Sequence, residues 1–370
     1  MDPHPNCIDE RPTEKTTLNM PRCTAPANTG LPAWRDQQEV DESCRMHRMR
    51  VPGGPSKPTP YRQCPVGFLL MRVVSLLPSA TELLCALGAE AMLVGRSHEC
   101  DHPPEVRDRP VLTAQRTNAA TSAAIDEQVR STMESGGSLY TLDEDRLRSL
   151  EPDVILTQDL CEVCSIDLAS VNRVAATMDP APKIVNLDPK TIFDVFDDVL
   201  KVARAVGLEA EGDRKMVELR GRYWEAIDYV TPYIRQPEVA FLEWLDPPFS
   251  GGHWTPGLIE AAGGRHSLNA AGRPSRQVTP EEIVESMPDR LILCPCGFDL
   301  ARIEAELDTV RNSSWWKVLP AVQEGRVVMV DGHEMFNRPG PRLVDAFCWL
   351  VSWIQDRPEV LPPDFPVRVV

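Results

Sequence analysis

The chain has 370 residues, enough for two lobes with their own cores, and a formal net charge of -16. That acidic balance argues against a nucleic-acid partner, because neutralising phosphates requires clustered Lys and Arg. No apolar run approaches the length that crosses a bilayer, so we expect no membrane span.

The first 70 residues are rich in proline and show neither helical nor alternating periodicity. Such a segment buries too little apolar surface to offset its ordering entropy, so residues 1–70 are predicted to be a disordered N-terminal extension. The opening residues lack the apolar stretch of a secretory signal. Met71 stands directly before the first predicted strand and could be the start of translation.

Strand and helix alternate from Met71 onward. Pro78-Ser79 opens the first helix, with Ser79 predicted as its N-cap and Glu82 at the capping-box position. Buried strands are predicted at 72–77, 91–95, 153–157 and 183–187, and helices between them near 125–133, 142–150 and 168–178. This alternation indicates a parallel, doubly wound lobe with right-handed crossovers.

The middle of the chain is helical for longer than one crossover needs, with helices predicted at 192–206 and about 209–230. After Pro237 the alternation restarts. The predicted fold class is therefore α/β: two doubly wound parallel-sheet lobes joined by a long bridging helix, with a ligand cleft between them. The predicted boundaries are extension 1–70, N-terminal lobe 71–188, helical linker 189–236, C-terminal lobe 237–356 and tail 357–370.

Thiols follow three of the predicted strands. Because ligands are held at the carboxyl ends of parallel strands, these side chains are predicted to converge on the cleft and to bind a metal. The five candidate ligands are Cys100, Cys161, Cys164, Cys294 and Cys296. The alternative is that they are small buried hydrophobes, which is the better account of Cys85 and Cys348 in apolar helical patterns.

Three segments carry a resemblance to a known family: 72–82, 141–156 and 257–264. Together they resemble the Fe/cobalamin periplasmic-binding-protein family, in particular its cobalamin-binding branch, over about Met71 to Ile354. The resemblance implies two lobes bridged by one long helix, for which 209–230 is the candidate. It also implies little hinge motion and a corrinoid or similar metal-chelate as the ligand in the cleft.

Position after a strand or beside glycines selects further candidate ligand contacts. These are Pro78, Ser79, His98, Glu99, Asp101, Glu243, Trp244, His253, Trp254, Asn337 and Arg338. Trp254 follows Gly251-Gly252, which could let the backbone approach a ligand while the indole stacks on a flat ring. Trp244 is interpreted as a core residue on burial grounds.

Two further candidates have competing interpretations. His98 could be an axial metal ligand, or it could hydrogen-bond to Glu99 or Asp101. Arg338 could clamp a carboxylate, an amide or a phosphate, or it could belong to a turn that enters the last helix.

The leading hypothesis is a corrinoid-binding protein of the substrate-binding type, with an ABC-type permease as its partner. The alternative is an intracellular metalloprotein that holds zinc or an iron-sulfur centre through the cysteine cluster. No catalytic arrangement is evident, so we do not expect an enzyme. Eleven unevenly spaced cysteines and no signal peptide predict a cytoplasmic protein.

Overall fold

A computed structural model describes residues 71–117, 119–158 and 168–370. These residues fall within one compact unit. The predicted extension 1–70 lies outside the described residues, as do Cys161 and Cys164.

The first lobe is built on a four-stranded sheet in the order β2-β1-β5-β6, with every neighbouring pair parallel. Strand β1 has no exposed residue, as expected for a strand covered on both faces. The elements in chain order are β1 Val73–Ser75, α1 Pro78–Ala86, β2 Leu93–Arg96, β3 Thr113–Gln115, α2 Ser122–Glu134, β4 Tyr140–Leu142, α3 Glu144–Ser149, β5 Val154–Gln158, α4 Leu168–Ala175 and β6 Lys183–Leu187.

Strands β3 and β4 stand apart from this sheet and pair with each other antiparallel. Helix α2 lies between them in the chain, so the two strands and the helix form a side unit of the first lobe. Helix α2 of the side unit reaches the second lobe.

Two helices connect the lobes: α5 (Ile192–Val206) and α6 (Glu209–Ile227). Thr191 and Asp194 form a capping box at the start of α5, and Gly207, with φ 73°, ends it in the left-handed conformation. Helix α6 has 19 residues and packs on α5, and its Tyr223 ring lies 4.4 Å from that of Phe347 in the second lobe. This matches the predicted bridging helix.

The second lobe contains a six-stranded sheet in the order β12-β11-β10-β7-β8-β9. The inner strands β7, β10 and β11 are parallel. At one edge β12 pairs antiparallel with β11, and on the other side β8 pairs antiparallel with both β7 and the edge strand β9. The elements are β7 Val239–Leu245, β8 Pro248–Ser250, α7 Thr255–Ala261, β9 Arg276–Gln277, α8 Pro280–Glu285, β10 Arg290–Leu293, α9 Leu300–Arg311, α10 Pro320–Gln323, β11 Val327–Val330, α11 Leu343–Gln355 and β12 Val367–Val369. The segment expected as a tail thus supplies a strand.

One hydrophobic cluster runs through both lobes. It joins Leu84 of α1 and Val199 of α5 to Phe241 of β7 and Phe347 of α11. Separate clusters lie inside the second lobe and under the first sheet. Since close-packed interiors resist deformation, a shared core holds the two lobes together. Within the described ranges, no helix combines the length and apolarity that a membrane span requires.

The predicted cap of α1 is wrong. The helix begins at Pro78 with Leu77 at the N-cap position, and no side chain caps it. Ser79 lies inside the first turn, where Pro78 at N1 presets the backbone for helix. Glu82 is buried and turns toward the second lobe instead of back to its own helix.

Candidate functional site

The loops after the parallel strands of the two sheets meet where the lobes join. Asp101 follows β2 of the first lobe, and His333 and Arg338 follow β11 of the second. His333 Nε2 lies 2.7 Å from Asp101 Oδ2, and Arg338 Nη1 lies 2.6 Å from Asp101 Oδ1. The carboxyl ends of both sheets therefore face each other, which is where α/β proteins hold ligands.

Two arginines of the second lobe bind the same carboxylate of the first. Arg338 Nη1 donates to Glu82 Oε1 at 3.3 Å, and its Nη2 donates to the Glu99 carbonyl at 3.2 Å. Arg342 forms a bidentate pair with Glu82, in which Nε donates to Oε2 at 3.0 Å and Nη2 donates to Oε1 at 2.7 Å. The side chains of Glu82 and Arg338 are 2 % and 5 % exposed. We call Glu82, Asp101, His333, Arg338 and Arg342 the interlobe ion cluster.

The ion cluster shifts the titration of its members. The hydrogen bond to Asp101 raises the pKa of His333 and so favours the imidazolium, although burial acts in the opposite direction. Burial opposes ionisation of Asp101, but hydrogen bonds from His333 and Arg338 outweigh it and hold the pKa of Asp101 below its usual range. Breaking a buried pair leaves an uncompensated charge, so the cluster ties one lobe to the other.

His98 sits beside the ion cluster without belonging to it. Its Nδ1 lies 2.6 Å from Thr113 Oγ1 in β3, and its Nε2 lies 3.3 Å from Glu99 Oε1. Burial lowers the pKa of His98 and so favours the neutral ring. His98 thus hydrogen-bonds to Thr113, whereas the predicted hydrogen bond to Glu99 or Asp101 is not formed, because the buried Nε2 has no hydrogen-bond partner among the described residues.

Trp254 is buried in the protein, contrary to the predicted stacking of its indole on a ligand ring. The side chain lies in the shared core, and its Nε1 donates to the Phe336 carbonyl at 2.7 Å. The neighbouring glycines serve protein packing. A Cβ on Gly252 would come 2.2 Å from the Ser275 nitrogen, and one on Gly251 would come 2.8 Å from the Phe241 ring.

His253 and Glu243 lie at the carboxyl edge of the second sheet. His253 is half-buried, and burial lowers its pKa, with Lys190 and Asp188 of the first lobe as its charged neighbours. Glu243 Oε2 accepts from the Gly252 nitrogen at 3.3 Å. His253 therefore faces the loop after β6, across the junction between the lobes.

Trp244 also contacts the first lobe. The indole is half-buried, packs at 5.1 Å from the Phe298 ring and donates from Nε1 to the Ser122 carbonyl of α2 at 3.3 Å. The Trp244 indole is thus only partly buried, at a contact between the two lobes, and does not lie fully in the core as interpreted from the sequence.

Three other predicted contacts serve local structure. Asn337 Nδ2 donates to the Gly332 carbonyl at 2.8 Å, which closes the turn before Arg338. Pro78 begins α1, and Ser79 is buried against the same turn, where a Cβ on Gly340 would lie 3.4 Å from Ser79.

The thiols described here do not form the predicted metal site. Cys100 is buried, its Sγ lying 3.0 Å from Thr81 Oγ1 and 3.3 Å from Ser97 Oγ. Cys294 is buried near Asn337, and Cys296 is exposed. Burial raises the pKa of Cys100 and Cys294, which favours the thiol over the metal-binding thiolate.

Among residues 71–117, 119–158 and 168–370, no group of three His, Cys, Asp or Glu could hold a metal ion. The prediction that Cys100, Cys294 and Cys296 share a site is therefore wrong for these three. Cys100 and Cys294 are buried in different surroundings, and Cys296, which follows the same strand as Cys294, is exposed. Cys161 and Cys164 are outside the described residues.

Sequence reasoning missed the partners that complete the junction. The sequence pattern predicts Glu82 as a capping-box residue and selects neither His333 nor Arg342. One signal was present, because Arg342 follows Arg338 by one helical turn's spacing at the entry to α11. Nothing local marks Glu82 as their partner, since it is 256 residues away from Arg338.

The family model described as periplasmic binding protein matches residues 73–333. The vitamin B12-binding protein of Vibrio cholerae serotype O1 is 22 % identical over 296 residues, 78 % of this chain and 90 % of that protein. An uncharacterised ABC transporter substrate-binding lipoprotein of Bacillus subtilis is 23 % identical over 281 residues, 74 % of this chain and 77 % of that protein.

Solved structures show the same fold. The periplasmic heme-binding protein RhuT of Roseiflexus sp. RS-1 superposes with a TM-score of 0.59 at 21 % identity, covering 78 % of this chain and 98 % of that one. The periplasmic vitamin B12-binding protein BtuF of Vibrio cholerae gives 0.56 at 19 % identity, covering 77 % and 97 %.

These relatives correct the predicted location. They are periplasmic proteins or a lipoprotein by name, which points outside the cytoplasm, so the prediction of a cytoplasmic protein is wrong. Cysteine count was a poor guide, because free buried thiols such as Cys100 reflect packing. With the family model matching residues 73–333, the chain belongs to the periplasmic binding protein family.

Proposed function

We propose that this protein is the substrate-binding component of an ABC-type uptake system and that its ligand is a corrinoid such as cobalamin. The observation that carries the proposal is that the carboxyl ends of the parallel strands of both sheets meet across a junction lined by half-buried polar side chains. Ligands are bound at such edges in open α/β sheets.

The charge of the protein supports a corrinoid over haem. The chain carries a net charge of -16, and Glu82, Glu99, Asp101 and Glu334 surround the two cluster arginines. Haem brings two carboxylates into such a site, whereas the corrin ring of cobalamin is edged by neutral amides. Like charges disfavour the first, and amides can exchange hydrogen bonds with carboxylates and imidazoles.

The relatives support the same choice. Vitamin B12-binding proteins of Vibrio cholerae and Photorhabdus laumondii match by sequence over about three quarters of this chain. The heme-binding proteins match by fold. Zinc or iron-sulfur binding has no support among the described residues.

Titration of the purified chain with cyanocobalamin, dicyanocobinamide and haemin tests the proposal, with binding followed by calorimetry and absorption. We expect saturable, one-to-one binding of at least one corrinoid and weaker binding of haemin. Binding of haemin alone, or of none of the three, would contradict it.

A variant pair locates the site. We propose that His253 contacts the ligand, because it is half-buried and faces Asp188 and Lys190 across the junction. His253→Ala should weaken corrinoid binding by about tenfold, the value of one or two hydrogen bonds. Tyr233→Ala is the matched control, since that side chain is 94 % exposed.

A further inference from the structure

Helix α2 crosses from the first lobe to the second. It leaves the first lobe after β3 and returns to it at β4, yet its first turn lies against α9 and the end of β7. Ile125, one turn further on, packs on the core of the second lobe. The helix is thus carried by one lobe and docked on the other.

The docking centres on one carboxylate. Glu306 of α9 is 8 % exposed and accepts from the Ser122 nitrogen at 2.9 Å through Oε1 and at 3.2 Å through Oε2. The Ser122 hydroxyl also donates to Glu306 Oε2. A negative charge at a helix N-terminus, where amides lack intrahelical partners, is stabilising. Glu306 therefore acts on α2 as a cap supplied by the other lobe.

Two further contacts flank this carboxylate. Trp244 Nε1 donates to the Ser122 carbonyl at 3.3 Å, and Arg302 Nη2 donates to the Ala120 carbonyl at 3.4 Å. The Arg302 guanidinium lies 3.7 Å over the Phe298 ring, which follows β10. Trp244 and Phe298 mark the carboxyl edge of the second sheet, so α2 lies over the part of the junction where a ligand would bind.

Little apolar surface holds α2 in place. Of its 13 residues, only Ser122 is buried, whereas α11, with the same length, buries 11. Segments with few buried apolar contacts open at low free energy, and a lone helix of this length is marginal in water. Apart from the packing of Ile125, the contacts of α2 with the second lobe are polar, so we expect the helix to detach at low free energy.

We propose that α2 is a lid over the interlobe site and that Glu306 is its latch. Opening separates the α2 N-terminus from Glu306 and Trp244, and closing restores these contacts over the bound molecule. The identity of the molecule admitted rests on the proposed function, whereas the latch does not.

The latch is tested on the ligand-free chain by hydrogen–deuterium exchange of peptides within residues 119–142. Glu306→Ala should raise exchange there by about tenfold, since it removes hydrogen bonds to a charged group. Ser122→Ala, which removes the hydroxyl and keeps the amide, should give a smaller rise and guards against misfolding of the first variant. Glu304→Ala is the control, because Glu304 lies on the same helix but pairs at the surface with Arg368. Unchanged exchange in both test variants would overturn the latch.

The role of α2 as a lid is tested by stopped-flow mixing with cyanocobalamin. Association and dissociation should both accelerate in Glu306→Ala and not in Glu304→Ala. Faster exchange with unaltered rate constants would show that α2 moves without controlling entry, which overturns the lid. If the wild type binds no corrinoid, the proposed function fails, and the exchange experiment still decides whether Glu306 holds α2.

Discussion

At the residue scale, Arg338 lies in a segment whose sequence is typical of a turn, yet its side chain is buried between the lobes. Its guanidinium donates to Glu82, Asp101 and the Glu99 carbonyl, and all three lie in the other lobe. The sequence predicts that Arg338 clamps a carboxylate, amide or phosphate of a ligand or belongs to a turn, and the partners found are groups of the protein itself. The anions are the protein's own, so this arginine holds the lobes together at the edge of the proposed site.

His333 makes the junction dependent on pH. Its pKa is raised above the ordinary value of 6.5, so the folded state binds the proton more tightly than the unfolded chain. That stabilisation is complete below the unfolded pKa and is lost as pH rises through the folded value. The groups facing it are Asp101, Glu99 and Arg338.

We therefore expect His333→Asn to lower the free energy of unfolding most near pH 6 and progressively less toward about pH 8. Urea denaturation of both proteins across this range measures the difference. In an Asp101→Asn background the pH dependence of that difference should largely vanish. A difference that does not vary with pH would contradict the assignment.

Trp254 makes a second prediction at this scale. Because the indole is in the shared core and its Nε1 donates to Phe336, Trp254→Ala should cost about 3 to 5 kcal/mol of stability. Trp224→Ala, at a side chain 49 % exposed, should cost far less. Denaturant unfolding measures both. Intact stability with selective loss of corrinoid binding would restore the stacking role.

At the element scale, α5 contains a carboxyl group, that of Asp198, whose burial disfavours its ionised form. Asp198 is fully buried, and its Oδ2 has no hydrogen-bond partner among the described residues, while Oδ1 lies 2.6 Å from Lys201 Nζ. Burial raises the pKa of Asp198 to about 6, against the opposing effect of Lys201. Folding therefore becomes less favourable as this carboxyl ionises.

Asp198→Asn should consequently gain stability relative to wild type as pH rises from about 4 to about 7, by on the order of 2 kcal/mol. Exposed Asp197→Asn on the same helix is the control and should show little trend. Thermal or urea unfolding at several pH values provides the test. A relative gain that falls with rising pH would show that the Lys201 pair dominates.

At the scale of the whole molecule, the shared core and the ion cluster join the lobes by different physics. The core excludes water between α1, α5, β7 and α11, and the cluster pairs buried charges. Both disfavour a wide hinge motion. We therefore expect access to the proposed site to depend on an element that has fewer buried contacts. Helix α2, with one buried residue, is such an element.

Removal of residues 1–70 should leave the fold intact, because their composition provides too little apolar surface for a core. A chain beginning at Met71 should unfold within a few degrees of the full-length protein by circular dichroism or calorimetry. A large fall in melting temperature would mean that the first 70 residues contribute to the folded unit and that the predicted boundary is misplaced.

The sequence alone determined the parts of this protein that depend on local pattern. Alternating buried runs and helical periods predict the two α/β lobes, and 19-residue α6 follows from an uninterrupted helical stretch. The family resemblance rests on segments such as 72–82 and 257–264, and the matching family model confirms it.

Only the tertiary structure decided which side chains meet. Glu82 pairs with Arg338 across 256 positions, and Ser122 meets Glu306 across 184, so no spacing in the chain encodes either contact. The burial of Trp254 in the core and the separate surroundings of the Cys100 and Cys294 thiols likewise depend on tertiary packing. Local propensity specifies the elements, whereas the partner of a side chain at the end of a strand depends on how two separately built lobes pack.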